Sequence, residues 1–160
     1  MTDSAPKPPS VSRVEMTQLV MPGDANVVGT AFGGRVVGWI DLAAALAAMR
    51  HTRMPVVTAS IDQLDFLAPV RIGQVAINRA RLNAVFGSSM EIGVEVLTED
   101  PGSGDRRKCC DAFVTFVSLG PDGRPAPGPR LAPEGDDEKR RAAEAEERRA
   151  LRREHRRARR

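Results

Sequence analysis

Apolar and polar residues alternate in five segments of the chain, which predicts five β-strands. The alternation is clearest where Met90 and Ile92 alternate with Glu91. Between the first and second segments, the chain after Gly34 is almost continuously apolar and rich in alanine, which predicts a buried helix that ends near Arg50. The predicted strands are Val11–Met21, Val56–Phe66, Gln74–Phe86, Ser89–Glu99 and Lys108–Leu119.

This order of elements predicts an α+β fold. One helix follows the first strand, and the later strands can pair as consecutive antiparallel hairpins, so that the helix packs against one antiparallel sheet. We assign residues 11–120 to this domain. A polar, proline-rich leader of residues 1–10 is predicted to be disordered, a Pro/Gly-rich linker spans residues 121–133, and a charged helix spans residues 134–160.

The composition argues against several classes of protein. Aromatic residues make up 4% of the 160 residues, with one Trp and no Tyr, which disfavours modules that stack nucleobases on aromatic side chains. No apolar run approaches the roughly 20 residues of a membrane span, and residues 1–10 lack the apolar stretch of a secretory signal. We therefore expect a soluble, cytoplasmic protein.

The two cysteines, Cys109 and Cys110, are adjacent and lie in a predicted strand. Adjacent cysteines match neither a disulfide framework nor the spacing of zinc ligands. The two histidines, His51 and His155, belong to no cluster with cysteines and carboxylates. The sequence therefore predicts no metal site, and it predicts that both cysteines serve in packing.

The excess positive charge is confined to the C-terminal segment. Residues 134–160 contain 11 Lys and Arg and 8 Asp and Glu, which accounts for the whole net charge of +3. Pairs such as Glu144 and Arg148 are spaced to stabilise a solvated helix, whereas a basic segment can also attract nucleic acid, acidic lipid or phosphate-bearing ligands. The solvated helix is the favoured interpretation, and the near-neutral domain disfavours a nucleic-acid partner.

Asp41 is the only charged residue in the apolar helix between Val36 and Met49. A helix that is apolar on all sides is expected to be buried on all sides, where an unpaired carboxylate is costly. Burial is expected to raise the pKa of Asp41 towards neutrality, where it can serve as a general base or acid. A position at a wet edge, or an ion pair with an arginine, is the structural alternative.

Two glycines, Gly33 and Gly34, open this helix. Glycine leaves the first backbone N–H groups accessible, and the positive end of the helix dipole there can hold an anion or polarise a carbonyl group. A tight turn that requires glycine is the alternative. The functional interpretation is strengthened because the isolated carboxylate of Asp41 follows two turns later.

Several motifs follow one another along the chain. They are residues 21–34 (MPGDANVVGTAFGG), 39–41 (WID), 50–51 (RH), 57–62 (VTASID), 66–69 (FLAP), 87–91 (GSSME) and 113–117 (FVTFV). In this order they resemble the hotdog-fold acyl-CoA thioesterases, specifically the cytosolic acyl-CoA hydrolase type in its single-domain bacterial form. The resemblance covers roughly residues 14–139. It implies one central helix wrapped by an antiparallel five-stranded sheet, in agreement with the periodicity.

The resemblance implies hydrolysis of acyl-CoA to a free acid and CoA, with no cofactor. The functional dyad of the family maps onto Asn26 and Asp41, which would meet across a dimer interface. Asp41 would activate water as a general base or attack directly as a nucleophile, and Asn26 would orient the water or the thioester. The N–H of Gly34, joined by that of Gly33, would stabilise the oxyanion. Some relatives have Asp or Asn where this chain has Thr30, so we expect Thr30 not to be essential.

Further residues are expected to bind the CoA and acyl groups. Gly87, Ser88 and Ser89 lie where pantetheine and phosphates pass in the family, although they also suit a hairpin turn. Arg50 and His51 would meet a phosphate or complement the C-terminus of the helix. The other predicted substrate-binding residues are Phe32 and Gly33 at the helix start and Thr58 and Ser60 in the second strand.

The sequence leaves two other functions open. One is a non-catalytic module that binds acyl-CoA on the same fold, which the retention of Asn26 and Asp41 disfavours. The other is a nucleic-acid-binding protein that acts through residues 134–160. Because a single hotdog domain leaves sheet edges unpaired, we expect a homo-oligomer, and the resemblance suggests a hexamer built as a trimer of dimers.

Overall fold

The computed structural model describes residues 5–62 and 64–159. Its elements follow the predicted order, with one long helix between the first two strands and a second helix at the C-terminal end. The strands are β1 (Val14–Leu19), β2 (Val56–Ile61), β3 (Val75–Phe86), β4 (Ser89–Glu99) and β5 (Arg106–Ser118), and the helices are α1 (Gly33–Thr52) and α2 (Asp136–Ala158).

All five strands form one antiparallel sheet in the order β1-β3-β4-β5-β2. The long strands β3, β4 and β5 are joined by consecutive hairpins in the centre of the sheet, and β1 and β2 are its two edges. This confirms the predicted α+β architecture of one central helix wrapped by a five-stranded antiparallel sheet. β2 ends earlier than predicted, at Ile61, because residues 66–70 leave the sheet and line the start of α1.

Alanine side chains allow α1 to approach the sheet closely. Ala43 and Ala44, and one turn later Ala47 and Ala48, are completely buried. They belong to one core cluster with the side chains of β3, β4 and β5 that face the helix, among them Phe116. The core therefore lies between α1 and the inner face of the sheet.

The opposite side of α1 is open in the single chain. Gly34, Gly38, Leu42 and Met49 are exposed. The prediction that this helix is buried on all sides is therefore wrong for one chain, because the sheet covers only one side of it. Asp41 is half-buried near this open side.

The C-terminal helix α2 lies on the outer face of the sheet, opposite α1. Ala145 is completely buried there. The guanidinium of Arg148 lies 3.7 Å from the ring centroid of Phe113 and binds the carboxylate of Glu91. Most of α2 is solvated, as expected, but one side of it docks on the sheet through ionic and cation–π contacts that a count of its apolar residues does not register.

The segment around Lys7 meets the predicted linker beside the C-terminal end of α1. The N–H of Lys7 donates to the carbonyl of Arg130 at 2.9 Å, and the carbonyl of Lys7 accepts from Ala132 at 2.9 Å. Pro9–Ser12 then form a short 3-10 helix. The leader predicted to be disordered is thus structured from Lys7 onwards, because it pairs with the predicted linker, and residues 1–4 lie outside the described residues.

In the part of the chain that the structure describes, no helix combines the length and the apolar character needed to cross a membrane.

Candidate active site

Asp41 lies in the middle of α1, beside the edge strand β2. Thr58 Oγ1 donates a hydrogen bond of 2.8 Å to Asp41 Oδ1. Among the described residues, Thr58 is the only side-chain partner of this carboxylate, so Oδ2 can accept a proton from a water molecule. The structure thus places Asp41 at a half-buried edge rather than in an enclosed core.

Asn26 lies in the loop before α1, and its side chain organises that loop. Its Oδ1 accepts hydrogen bonds from the N–H groups of Val28 at 3.0 Å and Thr30 at 3.2 Å. Its Nδ2 donates to Thr30 Oγ1 at 2.9 Å. An amide nitrogen carries two hydrogens, so one N–H of Asn26 stays available for a ligand while the other fixes the orientation of the group.

The first N–H groups of α1 precede its own hydrogen bonds. These bonds begin where Arg35 and Val36 donate to the carbonyl of Phe32 at 2.9 and 3.1 Å. The N–H groups of Gly33 and Gly34 therefore lack partners within the helix. A methyl group on Gly34 would meet no atom within 4 Å, so the positive end of the helix is open to a ligand.

A cavity of about 280 Å³ opens beside Gly33. One wall consists of Thr30, Ala31, Gly33 and Val36, and the other consists of residues 66–70. The ring of Phe66 lies 3.6 Å from the position that a Cβ of Gly33 would occupy. An apolar cavity next to unpaired N–H groups suits a ligand that joins an apolar group to a carbonyl.

An ion pair links the Asn26 loop to the first turn of α1. Arg35 Nε lies 3.0 Å from Asp24 Oδ1, and the other oxygen of Asp24 accepts the N–H of Met21 at 3.0 Å. The carbonyl of Asp24 also accepts the N–H of Phe32 at 2.9 Å. These contacts fix the loop relative to the start of the helix.

A single chain does not bring all the predicted catalytic groups together. Asp41 follows Gly34 by seven residues, so both lie on the same side of α1, about 10 Å apart along its axis. This separation is too large for the Asp41 carboxylate and the Gly34 N–H of one chain to act on the same carbonyl group.

Thr58 and Ser60 do not share a face of β2, although their spacing predicted it. The register of the strand shifts between them, with Ala59 as the extra residue of a β-bulge. Thr58 pairs with the core residue Phe116, whereas Ser60 pairs with Thr115 and lies on the outer face. The predicted substrate-binding role of Ser60 beside Thr58 is therefore corrected, because the bulge turns its side chain to the other face.

The pair Arg50 and His51 lies at the opposite end of α1 from Gly34. Arg50 is exposed, and its Nη1 donates to the carbonyl of Arg13 at 2.7 Å. His51 is completely buried, with Nε2 at 3.0 Å from the carbonyl of Pro129. His51 therefore has no access to a substrate, contrary to the prediction, because the segment around Lys7 and the linker at Pro129 cover it. A phosphate contact of Arg50 stays a prediction.

Burial lowers the pKa of His51. Its hydrogen bond to the carbonyl of Pro129 works in the opposite direction, and the nearby ammonium of Lys7 adds to the lowering. The ring is thus held in its neutral form, which suits a structural histidine.

Gly87, Ser88 and Ser89 form the hairpin between β3 and β4, and Gly87 has a φ of 87° that favours glycine. The carbonyl of Gly87 accepts the N–H of Gly128, and the carbonyl of Ser88 accepts the N–H of Ser118. The hairpin lies near the C-terminal end of α1, remote from the Asn26 loop. The turn interpretation is sufficient for its geometry, and its contact with CoA stays a prediction.

Cys109 and Cys110 are both buried in the core. A hydrogen bond from Cys110 lowers the pKa of Cys109, and the same interaction, together with burial, raises the pKa of Cys110. Cys109 Sγ also lies 3.1 Å from the carbonyl of Ala68. Among the described residues, no group of three or more His, Cys, Asp or Glu side chains could hold a metal ion.

Two residues of interest escaped the sequence reasoning. Thr30, expected not to be essential, provides the acceptor that orients Asn26. Glu91, assigned by alternation to a polar face, is completely buried under α2. The i,i+4 spacing of Arg148 and Arg152, which places two guanidiniums on one side of α2, was a signal for such a partner.

Comparison with known proteins identifies the family to which the chain belongs. The family model of the thioesterase superfamily matches residues 28–104. An uncharacterized acyl-CoA thioester hydrolase of Bacillus subtilis is 39% identical over 79% of this chain and 74% of its own length. The human cytosolic acyl coenzyme A thioester hydrolase is 38% identical over 87% of this chain, which spans only 37% of that longer protein.

Two solved structures show the same fold over almost the whole chain. A hexameric acyl-CoA thioesterase has a TM-score of 0.90 and 36% identity, with 95% of this chain and 97% of that chain covered. An acyl-CoA hydrolase of Staphylococcus aureus, solved with butyryl-CoA and CoA, has a TM-score of 0.86 and 36% identity, with 95% and 92% covered. Variants of the S. aureus protein that replace an aspartate, an asparagine or a threonine by alanine have also been solved. The chain therefore belongs to the thioesterase superfamily and has the hotdog fold of its acyl-CoA hydrolases.

Proposed function

We propose that this protein is an enzyme that hydrolyses the thioester of acyl-CoA to a free acid and CoA. The observation that carries the proposal is the isolated carboxylate of Asp41, which Thr58 orients on the open side of α1. The N–H groups of Gly33 and Gly34 and the amide of Asn26 supply the donors that such a reaction needs. The relatives, which are acyl-CoA hydrolases, support the same substrate class.

In the proposed reaction, Asp41 acts as a general base. Its carboxylate takes a proton from water while the water oxygen bonds to the thioester carbon. The carbonyl oxygen then becomes an oxyanion, which accepts a hydrogen bond from the Gly34 N–H, a contact worth roughly 3–4 kcal/mol for one donor. When the oxyanion re-forms the carbonyl group and the carbon–sulfur bond breaks, the electron pair leaves with the CoA sulfur, and the proton that Asp41 took from water passes to that sulfur. The same geometry also allows direct attack by Asp41.

Asn26 is proposed to hold the water or the thioester. Its Nδ2 is already anchored to Thr30 Oγ1, so its remaining N–H has a fixed direction. A fixed donor loses little freedom when it binds, which favours it over a mobile side chain.

We propose that two copies of the chain share each site. Asp41 and Gly34 of one chain lie about 10 Å apart along α1, so Asp41 of one protomer would serve the helix N-terminus and Asn26 of its partner. The open side of α1 and the unpaired edge of β2 offer the surface for this contact. They expose large apolar side chains, namely Leu42, Met49, Val57 and Ile61.

Further apolar side chains around the start of α1 support a larger assembly. Val27, Val28, Phe32, Phe66 and Leu67 are all exposed in the single chain. Apolar groups clustered in this way indicate interaction surfaces. By analogy with the hexameric relative, we propose a trimer of dimers.

Subunit mixing tests both the chemistry and the shared site. Asn26→Ala and Asp41→Asn are each expected to lose nearly all release of CoA thiol from a panel of short to long acyl-CoAs. Unfolded together and refolded as a mixture, the two inactive variants should regain about a quarter of wild-type activity, because half of the dimers carry one intact site.

Three results would contradict this proposal. Activity that stays absent after mixing would refute a site shared between copies. Full activity in Asp41→Asn would refute its role as base or nucleophile. A folded protein that binds CoA but hydrolyses no acyl-CoA would instead be a binding module.

We further propose that the enzyme needs no cofactor, because a carboxylate, water and backbone donors suffice for hydrolysis. Dialysis against a chelator should leave its rate unchanged, and a loss of activity that a metal ion restores would contradict this.

The cytosolic mammalian relatives support a cytoplasmic location, which subcellular fractionation would test.

A further inference from the structure

The edge strand β2 is attached to both faces of the sheet. On the inner face, Thr58 binds Asp41. Beyond the bulge at Ala59 the strand reaches Asp62, whose N–H donates to the carbonyl of Phe113 at 2.9 Å. The carboxylate of Asp62 accepts a hydrogen bond of 2.6 Å from Nη1 of Arg152, which belongs to α2 on the outer face.

Arg152 is itself fixed by a buried carboxylate. Its Nη1 lies 3.2 Å from Oε2 of Glu91, which is completely buried and also binds Arg148 Nη2 at 2.7 Å. The side chains of Arg152 and Asp62 keep only 16% and 21% of their exposure, so water and salt screen this pair less than a surface pair. α2 thereby joins the end of β2 to β4.

The position of Thr58 depends on how the end of β2 is held. Within one chain, β2 pairs with β5 alone, so the contacts of Asp62 add to a single ladder of backbone hydrogen bonds. A bulge bends the strand and re-aims neighbouring side chains. The attachment after the bulge therefore helps to decide whether Thr58 Oγ1 reaches Asp41.

We infer that Arg152 and Asp62 are positioning residues for the Asp41–Thr58 pair, an inference that rests on the proposed function. Arg152 holds Asp62, and Asp62 holds the end of β2, so Thr58 stays at hydrogen-bonding distance from Asp41. The C-terminal helix thus contributes to catalysis from the outer face of the sheet.

The test compares Arg152→Gln and Asp62→Asn with Arg153→Gln, which changes an exposed arginine of the same helix. The first two variants should lower kcat about three- to tenfold, the range of one misplaced hydrogen bond, with KM changed less than about twofold. Arg152→Lys should recover part of this loss. Arg153→Gln should leave kcat at the wild-type value.

A second comparison separates positioning from general destabilisation. In a Thr58→Val background, Arg152→Gln should lower kcat no further, because both changes act through the same hydrogen bond. Two effects that multiply would overturn the inference. A lower melting temperature with unchanged kcat would also overturn it, because the role of Arg152 would then be structural only.

Hydrogen–deuterium exchange distinguishes failure of this inference from failure of the proposed function. Amides of residues 56–61 should exchange faster in Arg152→Gln than in Arg153→Gln. Equal exchange would overturn the positioning role whatever the activity. A wild-type protein without thioesterase activity would refute the proposed function and with it the catalytic part of the inference. If the wild type is active and Arg152→Gln has the same kcat, the inference alone is refuted.

Discussion

The buried carboxylate of Glu91 allows a sharp prediction about stability. Glu91→Gln keeps the size of the side chain and removes its charge. Arg148 and Arg152 would then lose the anion that both of them bind at the centre of the contact between α2 and the sheet. We expect α2 to be held less firmly and the free energy of unfolding to fall.

The structure sets the magnitude of this effect. Removing one partner of a buried ion pair costs roughly 3–5 kcal/mol. Here the side chains of Arg148 and Arg152 keep 22% and 16% of their exposure. Each also keeps a second partner, the ring of Phe113 and the carboxylate of Asp62 respectively. We therefore expect a loss nearer to about 2 kcal/mol.

Glu95→Gln is the matched control, because Glu95 lies on the same strand but its side chain keeps 40% of its exposure and its carboxylate is 3.9 Å from Lys108 Nζ. Its loss should stay below about 0.5 kcal/mol. Both variants would be unfolded in urea at one fixed protein concentration, because assembly couples to stability, and followed by circular dichroism. Equal midpoints and slopes for Glu91→Gln and Glu95→Gln would refute the reasoning.

Three further predictions concern other parts of the molecule. The pKa of His51 lies below its ordinary 6.5, so the unfolded chain binds the proton more readily than the folded one. Stability should therefore fall as the pH falls below 6.5, and the melting temperature measured between about pH 5 and 7.5 should depend less on pH in His51→Gln than in the wild type. Thr30→Val should lower kcat/KM about five- to tenfold, because Asn26 loses its acceptor, whereas Thr30→Ser should retain activity in the same initial-rate assay. Gly93→Ala would place a methyl group 2.9 Å from Nδ2 of Asn83, and urea unfolding should reveal a loss of about 1–2 kcal/mol.

The elements that form the core could be predicted from the sequence. The alanine-rich helix and the alternating strands are imposed by local patterns that act within one element, such as Met90 and Ile92 on one side of β4. The bulge at Ala59 leaves no such pattern, because the residues around it are small or β-branched on both sides. As a result, the sequence predicts the same substrate-binding role for Thr58 and Ser60, although only Thr58 contacts a residue of α1.

The contacts of α2 could not be predicted for a different reason. Glu91 and Arg148 are 57 residues apart, and the spacing of Arg148 and Arg152 indicates an acidic partner without identifying which carboxylate it is. His51 looked accessible because the segment that buries it lies beyond the last strand. Local pattern thus predicts which residues form an element, while long-range ion pairs and covering segments decide which of its faces water reaches.

The pairing of Lys7 with the linker has a consequence for the order of folding during synthesis. Lys7 precedes the sheet in the sequence, but its backbone partners, Arg130 and Ala132, are made only after the last strand. A nascent chain that stops short of Pro129 leaves His51 without its cover and its acceptor. The core can therefore condense before residues 129–132 have been made, whereas the C-terminal end of α1 is covered only once they are present.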